Sequence, residues 1–138
     1  MKALHHTLEV ATRGKGLYPF TREAAKWVAA AGVQDGLLTI FVQHTSASLV
    51  IQENADPDVV LDLADYFERV APEGDPRYRH TTEGADDMPA HIRAALTQTS
   101  LSIPVVNGRM TLGTWQGIYL FEHRSAAYRR SVVLQLLG

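Results

Sequence analysis

Cysteine is absent from all 138 residues. That excludes disulfides, thiolate metal sites and cysteine nucleophiles, and it fits a cytosolic setting. Long apolar runs are also missing. Stretches such as Val28–Ala31 and Leu37–Leu38 fall far short of the ~20 residues a membrane helix needs. Met1-Lys2-Ala3-Leu4-His5-His6 lacks the apolar core of a signal peptide. A soluble, cytoplasmic protein with no membrane partner is expected. Excess charge is lacking too: the formal net charge is −2, which argues against a broad basic surface for nucleic acid. Aromatic and basic residues do not interleave as single-strand binding requires. Glycine-rich dinucleotide and Walker patterns, a Gly-x-Ser-x-Gly elbow, internal repeats and linkers are all absent.

What is present suits one domain spanning residues 1–138. The length is enough to bury a core, and the apolar fraction is 46%. Leu4–Val10 reads as a first strand with Leu4, His6, Leu8 and Val10 on one face. Arg13-Gly14-Lys15-Gly16 reads as a turn or surface loop. Thr21 is placed to cap a helix over about residues 22–31, with Ala24, Trp27, Val28 and Ala31 as its stripe and Gly32 as its stop. Leu37–Gln43 is apolar on both faces, as a central strand would be, and it ends at His44. A strand over about Ala47–Gln52 follows, and then Glu53-Asn54-Ala55-Asp56-Pro57, a dense polar corner. Asp56 before Pro57 is a strong helix start. The helix is expected over about residues 57–70, with Val59, Val60, Leu63, Tyr66, Phe67 and Val70 facing the core. Asp86-Asp87-Met88-Pro89 leads into a short helix to about Thr97, with Ile92, Ala95 and Leu96 as its stripe. Ser100–Arg124 reads as two or three strands around an Asn107-Gly108 turn, and Arg130–Leu136 as a last strand. Strands and helices mix without regular βαβ alternation, so the expected class is α+β.

Candidate chemistry lies in loops and at element ends. His44, His80 and His91 each have carboxyl or hydroxyl neighbours. No helix carries His-Glu-x-x-His, and no two ligand candidates are expected at a spacing of four, so a metal site would be assembled from separate segments. Glu122 alternates with Gln116, Ile118 and Leu120 on one strand face. A carboxylate on such a face needs a partner. Arg124, two residues on, is the expected one; alternatively the two residues flank an anion site. In Gly113-Thr114-Trp115-Gln116-Gly117 the glycines are read as points of close backbone approach, Trp115 as packed, and Gln116 as a neutral hydrogen-bonding group.

Five phrases in order carry a resemblance. They are His44-Thr45-Ser46-Ala47-Ser48; Glu53-Asn54-Ala55-Asp56-Pro57; the segment from His80 to His91; Asn107-Gly108-Arg109 with Leu112 through Gly117; and Glu122-His123-Arg124. Together they resemble the YjbQ family, also called the secondary thiamine-phosphate synthase family. The resemblance implies an α+β fold with a β-sandwich-like, mainly antiparallel core, a homotrimer, and a polar site near subunit boundaries. It also implies a low-activity reaction in which a thiazole phosphate nitrogen displaces pyrophosphate from a pyrimidine diphosphate. The site expected on this basis has His44, Asp87, His91, Glu122 and Arg124 as catalytic groups. Glu53, Asn54, Asp56 and Gln116 would contact a small phosphorylated substrate, and His44, His80 and His91 would hold a divalent metal, Zn or Mg. Imidazoles suit Zn, whereas Mg would favour Glu53, Asp56, Asp87 or Glu122. A metal-dependent hydrolase of a phosphorylated small molecule and a non-catalytic trimeric metal- or anion-binding module are the alternatives.

Overall fold

The computed structural model describes residues 1–138. Eleven elements follow in order: β1 (Ala3–Arg13), β2 (Gly16–Pro19), α1 (Thr21–Ala31), β3 (Gly36–Val42), β4 (Ala47–Glu53), α2 (Pro57–Val70), α3 (Asp87–Leu96), β5 (Ser100–Val106), β6 (Arg109–Met110), β7 (Gln116–Glu122) and β8 (Ala127–Leu137). The strands make two antiparallel sheets, β1-β8-β3-β5-β6 and β2-β7-β4. The class is α+β, as expected.

One core joins the two sheets. Leu38, Ile40 and Val42 of β3 and Val132, Leu134 and Leu136 of β8 face Leu49 of β4 and Ile118 and Leu120 of β7, all buried. β3 is central, between β8 and β5. Its other apolar face, Leu37 and Phe41, stays exposed. Asn107 and Gly108 both adopt positive φ, at 52° and 77°, as a tight β5–β6 turn demands.

Several local expectations need correction. No strand is expected at β2, whose few residues show no alternation; it forms a short edge strand paired to β7. Thr21 does not cap α1, because its Oγ1 accepts the Ile118 N–H of β7 at 2.8 Å. The α2 apolar stripe does not enter the core: no α2 residue is fully buried, and Tyr66 and Val70 are exposed. On α3 the buried side chains are Asp87, Pro89, Ala90 and Arg93, while Leu96 is exposed. Trp115 is 62% exposed rather than packed. Gly117 does mark a close approach, since a Cβ there would lie 3.0 Å from the Tyr119 ring and 3.2 Å from Asn54.

Candidate metal centre

α3 and the segment before it build the centre. Arg124, just past β7, clamps that segment. Its Nη2 donates to the Glu83 carbonyl at 2.9 Å, its Nε to Asp86 at 3.0 Å, and its Nη1 to Asp87 Oδ1 at 2.7 Å. The Ser125 N–H also donates to Asp86, at 2.8 Å. Asp86 is thereby spent on the hairpin and does not cap α3. Gly84 makes the turn at φ 107°, a conformation costly for other residues.

Asp87 is 2% exposed, with Oδ1 on Arg124. Its Oδ2 lies 2.6 Å from His80 Nε2 and 3.1 Å from His91 Nε2. Burial pushes the Asp87 pKa up, but the His80 hydrogen bond and the charges of His91 and Arg124 outweigh it, so the carboxyl lies below its ordinary range. The three ligand atoms lie within 4.8 Å of one another. Both imidazoles are about one-third exposed: His80 lines a cleft of about 270 Å³, and His91 another of about 300 Å³.

The His91 ring carries a second constraint. Its Nδ1 lies 3.0 Å from the Thr45 carbonyl, an acceptor, so Nδ1 holds the proton. In a neutral ring Nε2 is then a bare lone pair aimed at a carboxylate oxygen. Two acceptors face each other at 3.1 Å. A proton or a metal cation between them relieves the repulsion. Ligating histidines are characteristically oriented by such an N–H···O=C bond. Two imidazoles and one carboxylate with open positions suit Zn or a similar ion far better than Mg.

The remaining expected residues are elsewhere. His44 does not join the cluster. Its Nε2 accepts the Ser131 N–H at 2.8 Å, and the ring lines the cleft next to His91. Glu122, 0% exposed, pairs with Arg130 of β8, not Arg124. It also accepts from Thr12 at 2.6 Å and from the N–H groups of His123 and Arg124 at 3.1 Å each. That network satisfies the Glu122 carboxylate within the protein and places it outside the His80–Asp87–His91 cluster. Arg124 donates to Asp86, Asp87 and the Glu83 carbonyl.

The polar corner is spent locally as well. Glu53 accepts from the N–H groups of Ala55 and Asp56, Asp56 caps α2 through Asp58 N–H, Asn54 donates to the Thr114 carbonyl, and Gln116 accepts from Gly113 N–H. These four residues shape two abutting turns and lie outside the cluster.

The Asp87–His91 pair stands at a spacing of four on α3, which corrects the expectation that no two ligand candidates do so; the histidine pattern alone does not reveal it. Counting carboxylates as well as imidazoles along the predicted helix finds it. The Thr45 carbonyl carries no side-chain signal and was unforeseeable. His123 belongs to the Glu122-His123-Arg124 phrase but has no role expected of it. It is 1% exposed, lies 2.8 Å from Ser48 Oγ, and burial first, then the charges of Arg93 and Arg130, lower its pKa to about 3. No carboxylate orients it, and Ser48 is equally buried.

Comparison with known proteins agrees with the fold and the phrases. The family described as UPF0047 protein YjbQ-like matches residues 6–138. The UPF0047 protein sll1880 of Synechocystis is 57% identical over 95% of this chain and 89% of that protein. The UPF0047 protein YjbQ of Escherichia coli O157:H7 is 43% identical over 96% of each. A crystal structure of a conserved hypothetical protein from Thermus thermophilus superposes with a TM-score of 0.85 at 35% identity, covering 96% of this chain and 99% of that one. A YjbQ/UPF0047 protein of Clostridium acetobutylicum superposes with a TM-score of 0.82 at 36% identity, covering 97% and 99%. With a family match across nearly its whole length and relatives this similar, the chain belongs to the YjbQ (UPF0047) family.

Proposed function

We propose that the chain is a metal-assisted, low-activity transferase of the thiamine-phosphate synthase type, acting on small phosphorylated substrates in the cytoplasm. The observation that supports a metal is the His91 ring: Nδ1–H is committed to a carbonyl and Nε2 faces Asp87. His80, Asp87 and His91 would hold the ion. When bound, a divalent cation offsets negative charge growing on a departing pyrophosphate. In the reaction the thiazole nitrogen bonds to the pyrimidine's methylene carbon as the carbon–oxygen bond breaks, and pyrophosphate leaves with the electron pair. Arg124 acts as a positioning residue that fixes Asp87 Oδ2 toward both imidazoles.

A homotrimer belongs to the same proposal. Supporting self-association, Leu61, Tyr66 and Val70 of α2 and Leu37, Phe41 and Leu137 of the larger sheet remain exposed, apolar groups that a subunit contact would cover.

The test is an assay with pyrimidine diphosphate and thiazole phosphate, using chelator-treated and zinc-reloaded protein. Thiamine phosphate formation is expected only after reloading, and it should be lost in folded His91→Ala. Equal product formation with and without metal, or in His91→Ala, refutes the proposal. Pyrophosphate release that needs no thiazole phosphate identifies a hydrolase instead. Zinc binding without turnover of either kind identifies a binding module.

A further inference from the structure

Unassigned chemistry also surrounds the partly buried His44. The ring is pinned by the backbone of β8: Ser131 N–H donates to Nε2 at 2.8 Å, while the Ser131 carbonyl accepts Gln43 N–H at 3.1 Å. A ring nitrogen that accepts carries no proton, so the neutral ring holds its proton on Nδ1. Burial, and then the charge of Arg130, lower the His44 pKa, with Glu122 opposing. Nδ1–H is therefore a fixed donor, and no group of the chain accepts from it.

His44 lines a cleft of about 450 Å³ together with Gln43, Thr45, Ser46, Thr99 and Arg130. No carboxylate lines it. Arg130, 4% exposed, uses Nε and Nη2 on Glu122 and Ser46, and its Nη1 donates to no group of the chain. Glu122 cancels most of the Arg130 charge, so the cleft attracts mainly through donors rather than net charge. The neighbouring cleft shares His44, Thr45 and Thr99 and is lined by His91 as well. Donors without acids, running up to a candidate metal ligand, suit the oxygens of a phosphoryl group.

We propose that this cleft is a phosphoryl-binding subsite beside the metal centre, with His44 Nδ1–H, the Thr99 hydroxyl and Arg130 Nη1 as its donors. It rests on the transferase reading, whose substrates both carry phosphoryl groups, and it gives His44 a binding role in place of a ligating one.

The experiment titrates inorganic phosphate into the chelator-treated full chain, watched by ¹⁵N NMR of the histidine rings. A saturable shift of the His44 Nδ1–H signal is expected. In Thr99→Val and His44→Gln, loss of one donor to a charged acceptor should weaken phosphate about tenfold or more. Thr99→Val keeps the backbone bond from Val42 N–H to the Thr99 carbonyl, so it remains informative if His44→Gln is poorly folded. No His44 response, or unchanged phosphate affinity in folded Thr99→Val, overturns the subsite. Zinc titration of the same samples separates the two proposals. Zinc bound without a phosphate response overturns the subsite alone, whereas a phosphate response without zinc binding at His80, Asp87 and His91 overturns the metal reading alone.

Discussion

Glu122→Ala should damage the fold rather than the chemistry. The Glu122 carboxylate is 0% exposed and takes five hydrogen bonds, two of them from Arg130 and the others from Thr12, His123 N–H and Arg124 N–H. Arg130 is itself 4% exposed. Removing the carboxylate leaves a buried guanidinium with only the Ser46 hydroxyl and carbonyl as polar acceptors. Breaking one side of such a pair costs about 3–5 kcal/mol. A domain of this size is stable by only ~5–15 kcal/mol, so the variant should unfold at far lower urea. Replacing both partners, as Glu122→Met with Arg130→Met, removes the stranded charge and should recover part of the loss, the Thr12 hydroxyl and the His123 and Arg124 N–H groups still lacking their acceptor. Urea denaturation followed by circular dichroism, with extrapolated free energies for Glu122→Met, Arg130→Met and the double variant, measures the coupling. A Glu122→Ala variant within about 1 kcal/mol of wild type, below the cost of stranding a buried charge, would refute the account of this network.

Three further outcomes are expected. His123 is held neutral, with a pKa of about 3 in the fold against ~6.5 unfolded. The unfolded chain therefore binds the extra proton first, and stability falls as pH drops below ~6.5, by up to ~1.4 kcal/mol per pH unit, until about pH 3. Urea titrations between pH 7 and 5 should show this slope reduced by one proton in His123→Gln, and an unchanged slope contradicts it. Gly117→Ala drives a methyl against Tyr119 and Asn54 and should cost about 1–3 kcal/mol by thermal or urea unfolding. Arg124→Gln frees the Asp87 carboxylate and should weaken zinc about 10–100-fold in a calorimetric titration, and zinc affinity equal to wild type would remove its positioning role.

Local chemistry made much of the fold legible. Asp56-Pro57 announced α2 because the cap and the fixed proline φ act within one turn. Asn107-Gly108 announced the β5–β6 turn because few residues tolerate its positive φ. Partners chosen across the fold were harder to see. Glu122 sits two residues from Arg124, yet strand alternation and the β7–β8 connection deliver Arg130 to it instead. Thr21 has the chemistry of a cap, but a β7 amide claims its hydroxyl. At the site, His80, Asp87 and His91 all stand out in the sequence, but their convergence depends on the Arg124 clamp, which joins segments 37 and 38 residues apart. The place of His44 is hidden because its ring bond comes from a backbone amide 87 residues on, which no side-chain pattern records.

The metal centre is tested most directly by X-ray absorption at the zinc edge of the stoichiometrically loaded full chain. Two imidazole nitrogens at ~2.0–2.1 Å and a carboxylate oxygen at ~2.0–2.2 Å are expected, with one imidazole lost in His80→Ala and one in His91→Ala. Failure to bind zinc at all, or an imidazole count unchanged in both variants, would contradict it.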